Sequence, residues 1–579
     1  MRQNATRNLI GNLIVWASVI TTMAVTPKTT SDPINPVKMA SLSIFSFVIA
    51  ALLITNADQK FFQKHKKTIL VAISFVSVLL INVTTSSQNF LQEFFGVYGR
   101  NTGFVTYLSL TLLLVGAAVG SSRKLIEKYL YVLSIVGVIS MLYGYLQILG
   151  LDPAGWNSPY SPVIGFLGNP NFAAAFQAMA LIAATSLFQI KKWKLLAHIA
   201  YFAFSLLALL LMALSGDQQG FLVLFIGLAV VGTIKVYFSR FQKLGVLMFG
   251  SGAIGFVLLL LALINQGPLA RYIYESSLVS RGHYWDAAWR MLLNNPLWGT
   301  GLDSFGDWYF RFRSIAAYEW LPFQNTNSAH NVYLDIATGG GLPLIITFLA
   351  LNLLALKSIY TNLKNANRFD LTFVVLIGCW VGFHAQMFIS INQIGLAIWG
   401  WTICGLIIGY KSKDADADLE IPSGYKSKTQ SAKNIRKEKI QPSSILAIFA
   451  GILLGSTVGL PPLLADTKYF TEMSSGDPIR IQNAANIWPS RQQYYLQVSI
   501  SLRDNKSNTI TANPGVDPTT ISDYSDLGLS VAREMVKKFP NSFYSWELLR
   551  SFPRITPEED LLSKSRMREL NPIAYSTIK

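Results

Sequence analysis

The segment Ala329-His330-Asn331-Val332-Tyr333-Leu334 sets one imidazole beside an amide and a phenol, near the end of a polar loop, residues 265–340, that separates two apolar stretches. On a helix, His330, Tyr333 and Leu334 fall at i, i+3 and i+4 and share a face, and Gly339 to Gly341 end that helix before the next apolar run. The positive end of a helix dipole favours a neutral imidazole. Such a group can accept a proton near pH 7, which makes His330 the candidate general base. The competing reading is a surface histidine with Asn331 as the helix cap.

Arginines supply the other half of the chemistry. Arg281, Trp285, Ala288 and Leu292 stand at i, i+4, i+7 and i+11, the single face of a helix lying at the headgroup boundary. Arg281 heads that face and is the candidate for holding a phosphate by its planar fork. Asp286 and Arg290, at i, i+4, read as a surface pair, and Trp285 and Trp289 as interface aromatics. Arg100, between Gly99 and Gly103, either anchors a helix end to lipid phosphate or binds a substrate phosphate. The stretch 165–171 (GFLGNPN) enters a small-residue helix through Ala173, Ala174 and Ala175, with Asn171 as its expected N-cap.

Other chemistries find little footing. None of the histidines, His65, His198, His283, His330 and His384, pairs with another at metal-ligand spacing, and no Walker-type glycine loop occurs. Cys379 and Cys404 lie inside apolar runs, which leaves the polar segments without disulfides or thiolate metal sites. Neither metal nor cofactor is expected.

The elements that must hold these residues are membrane spans. Of 579 residues, 51% are hydrophobic and 14% charged, too apolar a mixture for a soluble chain of this length. Thirteen apolar runs of spanning length, from 8–25 to 444–464, predict an all-α polytopic protein with about 13 transmembrane helices. With a cytoplasmic N-terminus the inner segments hold 26 Lys and Arg, and the outer loops before residue 465 hold eight, among them Lys38. That bias explains the net charge of +17 by orientation and not by nucleic acid, and it exports the loop 265–340. Residues 1–25 also resemble a signal peptide, and either fate leaves the following span starting outside.

The chain divides into spans 1–264, the loop 265–340, spans 341–464 with a cytoplasmic linker at 411–443, and an exported domain 465–579. In that last domain Pro540 and Pro572 stand 32 residues apart, and Leu527, Val531 and Met535 have helical spacing, as in stacked helix pairs of the tetratricopeptide kind. Such a domain offers a surface to a protein partner.

Taken together, Arg281, Trp285, Pro296, Gly299, Gly301, Phe305 and the run His330-Asn331-x-Tyr333-Leu334, with FxGNPN at 166–171 and the Arg100 segment, resemble the O-antigen ligase and polymerase superfamily of bacterial inner-membrane glycosyltransferases. The resemblance runs from about residue 95 to 410. It implies transfer of a glycan from a polyprenyl-diphosphate carrier to an acceptor hydroxyl, with membrane lipids around it and no metal or nucleotide. His330 would deprotonate the acceptor, Arg281 and Arg100 would stabilise the leaving diphosphate, and Asn331 and Tyr333 would contact substrate. One departure stands out: many relatives carry an arginine in the short loop occupied here by Ser215 to Gly220, where this chain has Asp217, Gln218 and Gln219. These glutamines can still donate to sugar or phosphate. Ligase, polymerase and protein O-oligosaccharyltransferase remain open, as do a lipid-linked sugar flippase and an inactive scaffold. Flippases usually carry ionisable groups at mid-membrane, and here only His198 and His384 fall there.

Overall fold

The computed structural model describes residues 2–56, 59–86, 88–156, 161–189, 195–263, 266–273, 276–366, 368–411, 441–512 and 518–576. Helices are its only regular elements, and no strand occurs among the described residues. Nine of the described helices are long and apolar enough to cross a membrane, and Phe104–Gly120, His198–Leu214 and Ile394–Gly409 are shorter apolar helices. The remaining expected run falls on helix Arg2–Met23, which packs into the same core through Ile14, Ala17 and Ser18. The protein is an all-α polytopic membrane protein. Most of the segment 411–443 lies outside the described residues.

Small residues set the closest helix contacts. On helix Pro442–Gly459 the buried face is Ser444, Ala447, Gly451, Gly455 and Gly459. A Cβ at Gly451 would stand 2.4 Å from Val48 Cα, and one at Gly455 2.6 Å from Ile44 Cα, so helix Asn35–Asn56 approaches backbone to backbone. Between apolar spans this close van der Waals packing replaces the hydrophobic drive available in water.

Lys38, counted among the outer charges, is buried. Its ammonium donates to the carbonyls of Thr21 (3.1 Å), Thr22 (2.6 Å) and Ala24 (2.9 Å). Those oxygens lie at the C-terminal end of helix Arg2–Met23, where carbonyls lack intrahelical partners. Lys38 is therefore a helix cap and not a loop charge.

Helix Val332–Lys364 is broken at Gly341, whose φ of 69° and ψ of −169° no helix accommodates. The break frees two carbonyls just before it: Thr300 N donates to Thr338 O at 2.7 Å, and Gly301 N to Gly339 O at 3.0 Å. On its far side Leu342 N donates to Pro296 O at 2.7 Å. The glycines at 299, 301 and 339–341 thus clip the middle of the long loop to the head of the following span.

The C-terminal domain packs helix Gln492–Ala512 against Pro518–Lys538, and Phe543–Arg550 against Pro557–Leu570. Val531 and Met535 lie in its core. The domain docks on the long loop: Arg313 donates to Asn571 Oδ1 at 3.0 Å, and Phe310 meets the rings of Phe543 (5.3 Å) and Tyr544 (6.1 Å).

Candidate active site

His330 does not lie on the helix. It precedes the N-cap Asn331 in the left-handed region, with φ 53°, so it does not share a helical face with Tyr333. A bulky residue there needs outside support. Ser328 Oγ accepts from His330 N at 2.9 Å, and Asp335 takes Ala329 N and Ser328 Oγ, both at 2.7 Å. The Asn331 carboxamide oxygen accepts from Tyr333 N (3.0 Å) and Leu334 N (3.2 Å). Asn331 therefore caps the helix, while the His330 ring lies 5.6 Å from that of Tyr284, nearly parallel to it. Burial, then Arg100 and Arg281, push the imidazole down to about 3, which keeps it neutral.

Arg100 is part-buried in a turn shaped by Asp303. That carboxylate accepts from Val97 N at 2.8 Å, Thr102 N at 3.3 Å and Thr102 Oγ1 at 3.0 Å. Arg100 in turn donates to Asn327 Oδ1. Burial lowers its affinity for the proton, and Asp303 and Asp335 oppose that shift. Asp303, itself at φ 56°, follows the clipped glycine segment directly, so the break at Gly341 positions Arg100 through it.

Arg281 sits on helix Ser276–Asn294, whose buried residues include Ala288 and Leu292. Asp286 and Arg290 pair on its exposed side at 3.0 Å, as their spacing predicts. The acid that acts electrostatically on Arg281 is Asp217, whose carboxylate accepts from Gly220 N at 3.2 Å. Gln218 beside it is exposed, whereas Gln219 is buried with no partner for Oε1. Tyr333 is engaged elsewhere: its hydroxyl hydrogen-bonds His384 Nδ1 at 2.5 Å. In the 165–171 turn the N-cap is Asn169, with Pro170 following it, and Asn171 is the residue whose N–H is capped. Proline at the first helical position accounts for the shift of two residues.

The structure gathers Arg100 and His330 into one cavity of about 440 Å³, together with Tyr284, Asp303, Asp307 and Arg491. Arg281, Asn331, Tyr333, Gln218 and Gln219 do not line it, although Arg281 acts electrostatically on His330. The walls are otherwise rich in carboxamides, among them Gln92, Gln324, Asn325, Asn327, Gln492 and Gln493. Among the described residues no three His, Cys, Asp or Glu side chains converge as metal ligands. Asp303, Asp335 and Arg491 have no place in the sequence reading. Asp335 stands one residue past the quoted motif, and Asp303 two past Gly301, so an acid beside each glycine or cap signal marks them.

Fold and site together define a multi-pass membrane protein that holds an amide-lined cavity between its long loop, the 92–100 segment and its C-terminal helices. Residues 202–349 match the family described as O-Antigen ligase, a similarity that supports the resemblance to the O-antigen ligase-like superfamily. The matched stretch contains Arg281, His330 and the broken helix, and Arg100 lies outside it. At family level the match supports a role in glycan transfer during cell-surface polysaccharide synthesis. No curated protein matches the chain.

Proposed function

We propose that the protein transfers a glycan from a polyprenyl-diphosphate carrier to an acceptor hydroxyl at the outer face of the bacterial inner membrane. The observation that carries this reading is a neutral imidazole, His330, in one cavity with the Arg100 guanidinium and within the field of Arg281. The acceptor oxygen attacks the anomeric carbon, and its proton passes to His330. The bond from that carbon to the diphosphate breaks with inversion, and the electron pair leaves on the diphosphate, where guanidinium groups stabilise it. No nucleotide is needed, because the donor is already activated. The carboxamide walls suit a sugar, whose hydroxyls both donate and accept.

A base held near 3 accepts a proton poorly. The two phosphates of a bound donor would offset the positive field of Arg100 and Arg281, raising the basicity of His330 only when the donor is in place. Polymerases and protein O-oligosaccharyltransferases share this donor chemistry and differ in which acceptor enters the cavity.

The test is to purify the protein, supply polyprenyl-diphosphate glycans with candidate acceptors, and detect coupled product by mass. Arg281→Lys keeps the charge but loses the planar fork, and transfer should fall by roughly tenfold to a hundredfold. Normal transfer by Arg281→Lys would assign that arginine to lipid anchoring, and absence of product with every lipid-diphosphate donor would remove the transferase reading.

A further inference from the structure

We propose that Arg491, carried by the C-terminal domain, is a further anion-binding residue of the cavity and takes a phosphate oxygen of the donor's diphosphate on its second guanidinium nitrogen. The inference rests on the donor reading above and adds a residue from a part of the chain that the family match does not reach.

Arg491 lines the cavity alongside Arg100 and His330, and only 4% of it is exposed. Its Nη1 donates to Gly96 O at 2.6 Å, and the guanidinium lies 5.4 Å from the centre of the Phe95 ring. Its Nη2 is buried and has no hydrogen-bond partner. A buried charged donor without a partner is costly, so a group held this way is suited to an acceptor that arrives from outside the chain. The two carboxylates near Arg491 are occupied by other donors. Asp466 accepts from Asp32 N (2.7 Å), Tyr98 Oη (3.1 Å) and Tyr494 Oη (3.1 Å), and Asp303 from Val97 and Thr102. Burial pushes Arg491 down to about 10, which still leaves it protonated at neutral pH.

A second observation points to the same kind of ligand. Arg491 immediately precedes helix Gln492–Ala512, and Ser490, Gln492 and Gln493 also border the cavity, so the positive end of a 21-residue helix opens onto it. Helix N-termini favour anions. Acids act on all three arginines: Asp217 on Arg281, Asp303 and Asp335 on Arg100, and Asp303 and Asp466 on Arg491. Arg491 is distinguished by a spare guanidinium nitrogen beside a helix N-terminus.

The experiment measures binding of inorganic pyrophosphate and farnesyl diphosphate to the full chain in nanodiscs of zwitterionic lipid, for wild type, Arg491→Gln and Tyr494→Phe. Arg491→Gln can still donate to Gly96 O but lacks the charge, and both affinities should drop at least tenfold. Tyr494→Phe loosens the Asp466 contact of the same domain without removing a cation, and should bind like wild type. Equal losses in both variants would reassign Arg491 to domain docking and overturn the proposal. So would a loss seen only for interaction with phosphatidylglycerol nanodiscs, which would make Arg491 a lipid-headgroup contact. Should Arg491→Gln fail to fold, Arg491→Lys is read in its place: it keeps the charge but loses the planar fork that serves Gly96 O and a phosphate oxygen from separate nitrogens, so diphosphate affinity should fall, and undiminished binding would overturn the proposal. Tight diphosphate binding that survives these substitutions removes Arg491 alone, whereas a wild-type protein that binds neither diphosphate removes the donor reading itself.

Discussion

At the residue scale, the proposed mechanism turns on His330, and its environment predicts a pH dependence as well as a mutational effect. His330→Gln retains hydrogen-bonding capacity but cannot take a proton at neutral pH, so turnover should fall on the order of 10²–10⁴-fold with donor binding retained. His283→Gln, in the same loop but outside the cavity lining, should be near neutral. The base acts in its unprotonated form, and in the free protein the imidazole is pushed down to about 3. Therefore kcat/KM, which reports the free enzyme, should hold from pH 8 to pH 5, whereas kcat, which reports the donor complex, should decline at higher pH than kcat/KM does. Asp307 lines the same cavity and is pushed up to about 6 by burial, so Asp307→Asn identifies any limb that belongs to it. A kcat/KM limb near 6.5 that survives Asp307→Asn would contradict the buried, arginine-flanked imidazole. The residue types of the site were legible in the sequence, but their wiring was not. Neutrality of His330 was expected from a helix dipole, and it arises instead from burial and from two arginines whose proximity no local pattern encodes. Asn331 was legible in its capping role, whereas the partner of Tyr333, His384, lies 51 residues away in sequence and belongs to another helix.

At the element scale, the break at Gly341 sets the site. Its φ of 69° disfavours any side chain, and a Cβ there would stand 2.5 Å from the carbonyl carbon of Leu297. Gly341→Ala should therefore cost about 1–3 kcal/mol of stability. It should also disturb the Thr338–Thr300 and Gly339–Gly301 bonds, which hold the loop leading to Asp303 and Arg100. Measured by thermal unfolding and turnover together, the variant should lose more activity than its stability loss explains. Gly252→Ala, on helix Gln242–Leu263 with nothing within 4 Å of the added Cβ, is the control and should change neither. Full activity in Gly341→Ala would show that the clip does not position the cavity. The glycine run was legible as a helix stop because glycine tolerates the conformation the stop requires. That the freed carbonyls would be taken up by residues 300 and 301 was not legible, since the pairing depends on how the loop folds back. The same limit explains Lys38: composition reveals its charge, but only packing reveals the three carbonyls it caps.

At the scale of the whole molecule, the C-terminal domain completes the cavity that the long loop begins, through Arg491, Tyr544 and the Arg313–Asn571 bond. This contact ties the two to one side of the membrane, whichever side that is. We propose from the charge bias that this side is the outside, and removing the buried Lys38 from the outer count strengthens that bias. The expected outcome is that cysteines placed at Phe323, which is 90% exposed, and at the exposed Ile479 react with an impermeant thiol reagent in intact cells. A cysteine at Ser239, in the exposed turn between helices Gln219–Tyr237 and Gln242–Leu263, should react only after the membrane is opened. Cys379 and Cys404, both buried, should stay unlabelled and need no replacement. Labelling of 323 without 479 would contradict the docking of the domain on the loop. Labelling of 239 alone would invert the orientation, and with it the argument that the acceptor is glycosylated where no nucleotide is at hand and the donor must arrive activated on its lipid.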